Sequence, residues 1–174
     1  MSARCQLTAA TMRAAESPEL GAAVRRLSLF GFVFAAQLGH LIEHIAKAIS
    51  GQGLLGPAAD TELTHLLFNA LVAVFALALV WAYPRNPWVY PLVLLSVLHG
   101  SEHVYIYEQY LRTGLINGPG LLGLGGAIGI VPLPRLDLHN VYNGLEMILI
   151  VLGSWNEAEA LFITSKGVED ASDL

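Results

Sequence analysis

Two copies of one short motif bring together residue types that bind metal ions. The first copy reads HLIEH at positions 40–44, and the second reads HGSEH at positions 99–103. On a helix, positions i, i+3 and i+4 share one face, so each copy presents two imidazoles and one carboxylate side by side. Neutral imidazole suits Zn, Cu, Fe and Ni, and an added carboxylate shifts the preference slightly towards Fe or Zn. The motif therefore predicts transition-metal ligands.

A second motif, HxxxN, supplies a third imidazole to each half of the chain. It occurs as His65 with Asn69 and as His139 with Asn143, so that all six histidines fall in a duplicated motif. Histidines present for unrelated reasons would not share this pattern. The predicted metal ligands are His40, Glu43, His44, His65, His99, Glu102, His103 and His139. The residues predicted to orient these ligands or relay protons are Asn69, Asn143, Tyr142 and Glu146.

The motifs recur in a fixed order, which indicates an internal duplication. The two HxxEH copies lie 59 residues apart, the loops GQGLLG (51–56) and GPGLLG (118–123) lie 67 apart, and the two HxxxN copies lie 74 apart. The offsets grow because the second loop is longer. Each half is therefore predicted to be a helical hairpin whose motifs meet near its loop. Two such hairpins in tandem are parallel repeats, related by a pseudo-twofold axis along a membrane normal.

The elements that must position these motifs are four apolar stretches, at about 27–49, 63–83, 88–110 and 136–155. Each is close to the roughly 17–25 residues that a helix needs to cross a bilayer. The chain is also 55% hydrophobic and only 13% charged, whereas soluble domains have about 25% charged residues. These features predict an all-α integral membrane protein with four transmembrane helices.

The predicted organisation has an N-terminal arm (1–24), a first hairpin repeat (25–83), a second hairpin repeat (84–155) and an acidic C-terminal tail (156–174). Arginines cluster before the first stretch, and Arg85 lies in the turn between the second and third. The positive-inside rule then places both termini in the cytoplasm, most simply across a bacterial-type inner or plasma membrane. The metal site would face the outer side, beneath the glycine-rich segment 114–134.

Composition narrows the possible functions. The net charge of −5 without a basic cluster disfavours nucleic acid as a partner, and the single cysteine excludes a Cys-based metal site within one chain. We expect a dinuclear iron or copper centre of an oxidoreductase or oxygenase type. The alternatives are a non-catalytic zinc or copper subunit or carrier, and a b-type haem protein. Besides the lipid bilayer, other subunits of a membrane complex or further copies of the chain are the expected partners.

Overall fold

The computed structural model describes residues 18–57 and 60–172, and within these residues the fold is all-helical without strands. The four helices are α1 (Pro18–Ser50), α2 (Glu62–Ala82), α3 (Val89–Thr113) and α4 (Arg135–Ser172). The predicted all-α class and the four helices of the described chain are confirmed.

Two helices extend beyond the predicted boundaries. Helix α1 begins at Pro18, inside the predicted arm, of which residues 1–17 lie outside the described residues. Helix α4 continues through the acidic segment to Ser172. After Pro134 the sequence contains no further proline, and the segment that follows Trp155 is rich in Ala, Glu and Leu, which are strong helix formers. The change from apolar to acidic residues after Trp155 therefore does not coincide with the end of the helix.

The helices form a bundle in which α1 and α3 each pack against both α2 and α4. Residues 51–57, 60–61 and 114–134 cover one end, called here the loop end, and the short turn 83–88 lies at the opposite end. Thr61 caps α2 by accepting a hydrogen bond from the Thr64 amide, and Gly114 ends α3 in the left-handed conformation with φ 70°. The two HxxEH motifs and the two HxxxN motifs consequently lie in the half of the bundle nearest the loop end.

The bundle interior is divided between two kinds of core. The half nearest the turn holds a cluster of buried apolar side chains, with Phe30, Val33, Ala76, Leu79, Tyr83, Val89, Leu92 and Ile150 as its members. The half nearest the loops buries the six histidines with several other polar residues. By length and composition, Leu27–Ser50 and Glu62–Ala82 are apolar enough to cross a membrane. Helices α3 and α4 do not meet that measure, because they carry more polar residues.

Candidate metal centre

All six histidines are buried in the bundle, and they form two groups of three. One group, called here the first triad, consists of His40, His44 and His65, and the second triad consists of His99, His103 and His139. Within each triad, one nitrogen from each ring lies within 4.8 Å of the others. Either triad could hold a metal ion, as the duplicated motifs predicted. Each triad draws two histidines from one helix and one from the next helix of the same hairpin.

The two triads are in contact with each other. The ring centroids of His44 and His139 are 5.9 Å apart, and those of His65 and His103 are 5.8 Å apart. The repeat exchanges these two pairs, and in both of them the rings are nearly parallel, at 5° and 15°. The six imidazoles therefore form one continuous cluster with two equivalent halves.

Every one of these histidines has a buried ring nitrogen without a hydrogen-bond partner among the described residues. In His44, His99 and His103 both nitrogens are in this state. Buried polar groups in folded proteins are nearly always paired, and leaving one unpaired costs about 1–3 kcal/mol. Six imidazoles that each offer a bare nitrogen to a shared centre are what metal ligation would require, so the donor set fits two transition-metal ions.

The glutamates of the two motifs have a different role from the predicted one, since neither belongs to a triad. The carboxylate of Glu43 accepts hydrogen bonds from the amides of Leu54 and Leu55, at 2.9 and 3.3 Å. The carboxylate of Glu102 likewise accepts from the amides of Leu121 and Leu122, at 2.6 and 2.7 Å. In both halves the glutamate thus fastens the Gly-Leu-Leu-Gly loop to the helix.

A glycine in each loop makes this contact possible. A Cβ atom at Gly53 would collide with the Glu43 carboxylate, and one at Gly120 would collide with the Glu102 carboxylate. These glycines are equivalent in the repeat, 67 residues apart. The spacing of the motif showed that the glutamates face the same way as the histidines, but it did not show that the loop amides would reach them first.

Hydrogen bonds fix the ring orientation of the histidine in each HxxxN motif. The Nε2–H of His65 donates to the Asp60 carboxylate at 2.8 Å, and Nδ1–H of His139 donates to the Arg135 carbonyl at 2.7 Å. Each bond assigns the ring proton to one nitrogen and leaves the lone pair of the other facing the cluster. The free nitrogens are Nδ1 of His65 and Nε2 of His139. The two repeat-equivalent histidines therefore present different nitrogens.

Asp60 is held between His65 and Lys47, whose Nζ lies 2.8 Å from the carboxylate. Burial works to raise the pKa of Asp60, but the hydrogen bonds from His65 and Lys47 outweigh it and the pKa is lowered. The carboxylate is therefore ionised and accepts a hydrogen bond from Nε2–H of His65. Asp60 was not among the predicted site residues, although its position five residues before His65, just ahead of the helix that carries His65, was a usable signal.

The residues predicted to orient the histidine ligands contact different partners in the structure. Asn69 donates to the backbone carbonyl of His65, and Asn143 accepts from the side chain of Gln37 at 2.8 Å. Tyr142 stacks on His99 with ring centroids 4.8 Å apart, just as Phe68, at the equivalent repeat position, stacks on His40 at 4.2 Å. An aromatic wall thus lies behind the same histidine in each half.

Glu146 is fully buried and lies beside the second triad. Its Oε1 is 3.5 Å from Nδ1 of His99, and its Oε2 accepts a hydrogen bond from Gln37. Gln37 escaped the sequence prediction, yet it is a polar residue in an apolar stretch, three positions before His40 and hence on the same helix face. The carboxylate of Glu146 has no counterpart in the first half, where the equivalent residue is Val72.

A cavity of about 260 Å³ lies on the loop-end side of the histidine cluster. It is lined by His44, Lys47, His65, Asn117, Arg135, Leu136 and His139. Arg135 is paired with Glu62, and Lys47 with Asp60, so two ion pairs frame the cavity. Since the cavity reaches histidines of both triads, it gives a route from the loop end to the cluster. Lys47 and Arg135 lack repeat counterparts, so the search for duplicated motifs passed over them.

No family model, curated protein or solved structure matches this chain at a significant level.

Proposed function

We propose that this chain is a membrane-embedded metalloprotein in which the two histidine triads bind two transition-metal ions as one dinuclear centre, with iron or copper as the metal and oxidoreductase chemistry as the function. The observation that carries the proposal is the contact between the triads. Each triad has three inward-facing imidazoles, and the two sets of rings meet at 5.9 and 5.8 Å.

The distribution of side chains supports a membrane location for all four helices. Each helix carries large apolar residues that face outward, with exposed fractions of 53% for Phe32, 60% for Val74, 73% for Leu94 and 56% for Ile148. Polar residues such as Gln37 are buried instead. Monomers in water seldom expose such a continuous apolar surface, whereas a lipid bilayer favours it. The loop end would then lie at the outer face, with the termini in the cytoplasm.

The donor set favours a redox metal pair with free coordination positions. Three neutral imidazoles fill three positions and leave at least one for a small molecule, as in catalytic rather than structural sites. Two ions held this close together can share the electrons of a reaction. The protein supplies the imidazoles, the dry interior and the cavity at the loop end through which a small reactant enters.

The packing of the rings disfavours the b-type haem alternative. Neighbouring imidazole centroids in the cluster are 4.6–5.9 Å apart. Two histidines that ligate one haem iron lie on opposite faces of a wide planar macrocycle, which needs an open slot between helices. Side chains in mutual contact leave no such slot, so we retain metal ions bound directly by the histidines.

The loop-end cavity favours a second candidate function, that of a zinc or copper carrier. His44, His65 and His139 line this cavity, so an ion could reach the cluster or leave it by the same route. Such a carrier would bind and release the ion without chemistry. The sulfur-free donor set is less suited to Cu(I), which prefers thiolate and thioether ligands.

Metal analysis of the purified protein in lipid nanodiscs tests the proposal. We expect two iron or two copper ions per chain, which an added reductant should reduce and O₂ should then reoxidise, with consumption of the oxygen. His44→Ala and His103→Ala should each remove at least one ion and abolish the oxidation reaction, because a dinuclear centre fails when one half is lost. Ser101→Ala is the matched control, since Ser101 is exposed and its hydroxyl bonds only the Val97 carbonyl.

The outcomes separate the candidates. Two zinc ions per chain with no redox reaction would replace the oxidoreductase by the carrier. If each histidine variant loses one ion and leaves the properties of the other unchanged, the sites are independent and the dinuclear centre is wrong. Absence of bound metal after loading with Fe²⁺, Cu²⁺ and Zn²⁺ in turn would overturn the metal proposal itself.

The membrane topology is tested by labelling single cysteines in a Cys5→Ser background. Gln52→Cys at the loop end and Arg85→Cys at the turn end are both exposed positions. A membrane-impermeant maleimide added to intact cells should label the first and not the second. The reverse result would invert the proposed orientation, and labelling of both or of neither in intact cells would contradict a spanning bundle.

A further inference from the structure

The second triad has a buried carboxylate behind one of its histidines, and the first triad has none at the equivalent place. Glu146 is fully buried, and its Oε1 has no hydrogen-bond partner among the described residues. That oxygen lies 3.5 Å from Nδ1 of His99. The equivalent of Glu146 in the first half is Val72, and the equivalent of Gln37 is Ser96. The polar pair that supports His99 is therefore absent from the neighbourhood of His40.

Gln37 holds the Glu146 carboxylate in place. Its Nε2–H₂ group donates to Oε2 of Glu146 and to Oδ1 of Asn143. The remaining oxygen, Oε1, is left directed at His99. A protein that buries a carboxylate in an apolar bundle and fixes one of its oxygens must stabilise the other through a donor, and Nδ1–H of His99 is the nearest titratable one.

We infer that the two metal sites are chemically inequivalent, and that Glu146 is a positioning residue that makes the second triad the tighter site. The inference rests on the proposed function, because it presumes that both triads bind metal. When His99 binds an ion through Nε2, its Nδ1–H points towards Glu146. A carboxylate behind a metal-binding histidine fixes the ring tautomer and raises its basicity, and its loss typically lowers metal affinity about 10- to 100-fold.

The first triad also has a carboxylate next to one of its histidines, but we expect that carboxylate to interact less strongly with the ring. Asp60 accepts a hydrogen bond from His65, yet it is partly exposed and is also paired with Lys47. Among the described residues, the contacts of the Glu146 carboxylate are with Gln37 and His99, neither of which carries a fixed positive charge as lysine and arginine do. Its free Oε1 is directed at His99, whereas Asp60 divides its contacts between His65 and Lys47, so the second triad should fill first.

Titration of the metal-free protein in nanodiscs with Co²⁺ alone tests the inference through the visible d–d absorption of the bound ion. We expect two binding steps that differ at least about tenfold in affinity. Glu146→Gln, which keeps the size and the bond to Gln37, should weaken the tighter step about 10- to 100-fold and shift its absorption bands. Asp60→Asn is the matched variant, and it should move only the weaker step.

Glu146→Val makes the second half resemble the first and should merge the two steps into one. If the valine variant does not fold, the glutamine variant still decides. Two ions bound in a single step by the native protein, or equal effects of Glu146→Gln on both steps, would overturn the inference while leaving the metal centre intact. No Co²⁺ binding by the native protein would instead contradict the proposed function.

Discussion

In the first half of the bundle, His40 stacks on a phenylalanine and His65 donates to a partly exposed aspartate shared with a lysine. In the second half, His99 stacks on a tyrosine and faces a buried glutamate, while His139 donates to a backbone carbonyl. The six imidazoles follow the repeat closely, whereas the groups behind them do not. The repeat thus describes the six imidazoles, while the residues that contact them differ between the two halves.

The two ion pairs at the loop end differ in burial and in what they join: Arg135–Glu62 connects the two halves, whereas Lys47–Asp60 lies within the first half. This difference predicts the largest effect on stability. Arg135 binds the Glu62 carboxylate with both terminal nitrogens, and Glu62 is almost completely buried. Removing one partner of a buried pair leaves an uncompensated charge, at a cost of about 3–5 kcal/mol. Arg135→Met should therefore lower the free energy of unfolding by about 3 kcal/mol, as measured by denaturant unfolding in detergent micelles.

Lys47→Met is the matched change in the first half. Lys47 is partly exposed, and Asp60 keeps its hydrogen bond to His65 after the substitution. The loss should stay below about 1 kcal/mol, as for exposed pairs. Equal losses in the two variants would show that the two ion pairs contribute alike to stability, which would contradict the expected difference between them.

We expect an intermediate loss of stability when either motif glutamate is replaced. Glu102 is fully buried and makes two short bonds to loop amides, whereas Glu43 is half-buried and its bonds to the loop are longer. Hydrogen bonds to a charged group contribute about 1.5–3 kcal/mol each when well formed. We expect Glu102→Gln to destabilise the protein by about 2 kcal/mol and Glu43→Gln by about half of that.

Metal content provides the check on the roles of these glutamates. If they fasten the loops, both glutamine variants should retain two ions per chain while their loops become more accessible to protease. Loss of one ion in either variant would restore that glutamate as a metal ligand, as the motif spacing alone had predicted.

Exchange of the aromatic residues stacked on His40 and His99 should have the smallest effect, a minor change in metal affinity. Phe68 and Tyr142 occupy the same repeat position and stack on equivalent histidines. The exchange variant Phe68→Tyr/Tyr142→Phe should change the affinity of either site by less than about threefold, because the stacked ring is common to both residues. A larger change, measured by the same Co²⁺ titration, would mean that the Tyr142 hydroxyl rather than Glu146 distinguishes the second site.

The sequence predicted the histidine cluster well because the histidines lie on helices, where spacing determines the face. His40 and His44 had to lie together, and the hairpin had to bring His65 to them. The role of Glu43 could not be predicted in this way, since its hydrogen-bond partners are backbone amides of a loop whose path no helical periodicity describes. The same reason explains why Asp60 and Arg135 were missed: their partners come from loop geometry and from contacts between the halves.

The extent of the helices was also only partly predictable. Hydrophobicity located the four apolar stretches but not the ends of α1 and α4, because helix propensity continues where apolar character stops. The sequence showed that Glu146 has no counterpart in the first half. That its carboxylate is directed at His99 could be seen only from the packing of α3 against α4.

The central claim is that the two triads form one centre, and electron paramagnetic resonance of the protein loaded with two Cu²⁺ ions per chain tests it most directly. Ions held by triads whose rings meet at 5.9 and 5.8 Å should be magnetically coupled. We predict a spin-coupled spectrum whose signal integrates to fewer than two isolated Cu²⁺ ions or shows a half-field transition, and which reverts to a single isolated ion in His103→Ala. Two uncoupled Cu²⁺ signals, each unaffected by substitution in the other triad, would contradict the account.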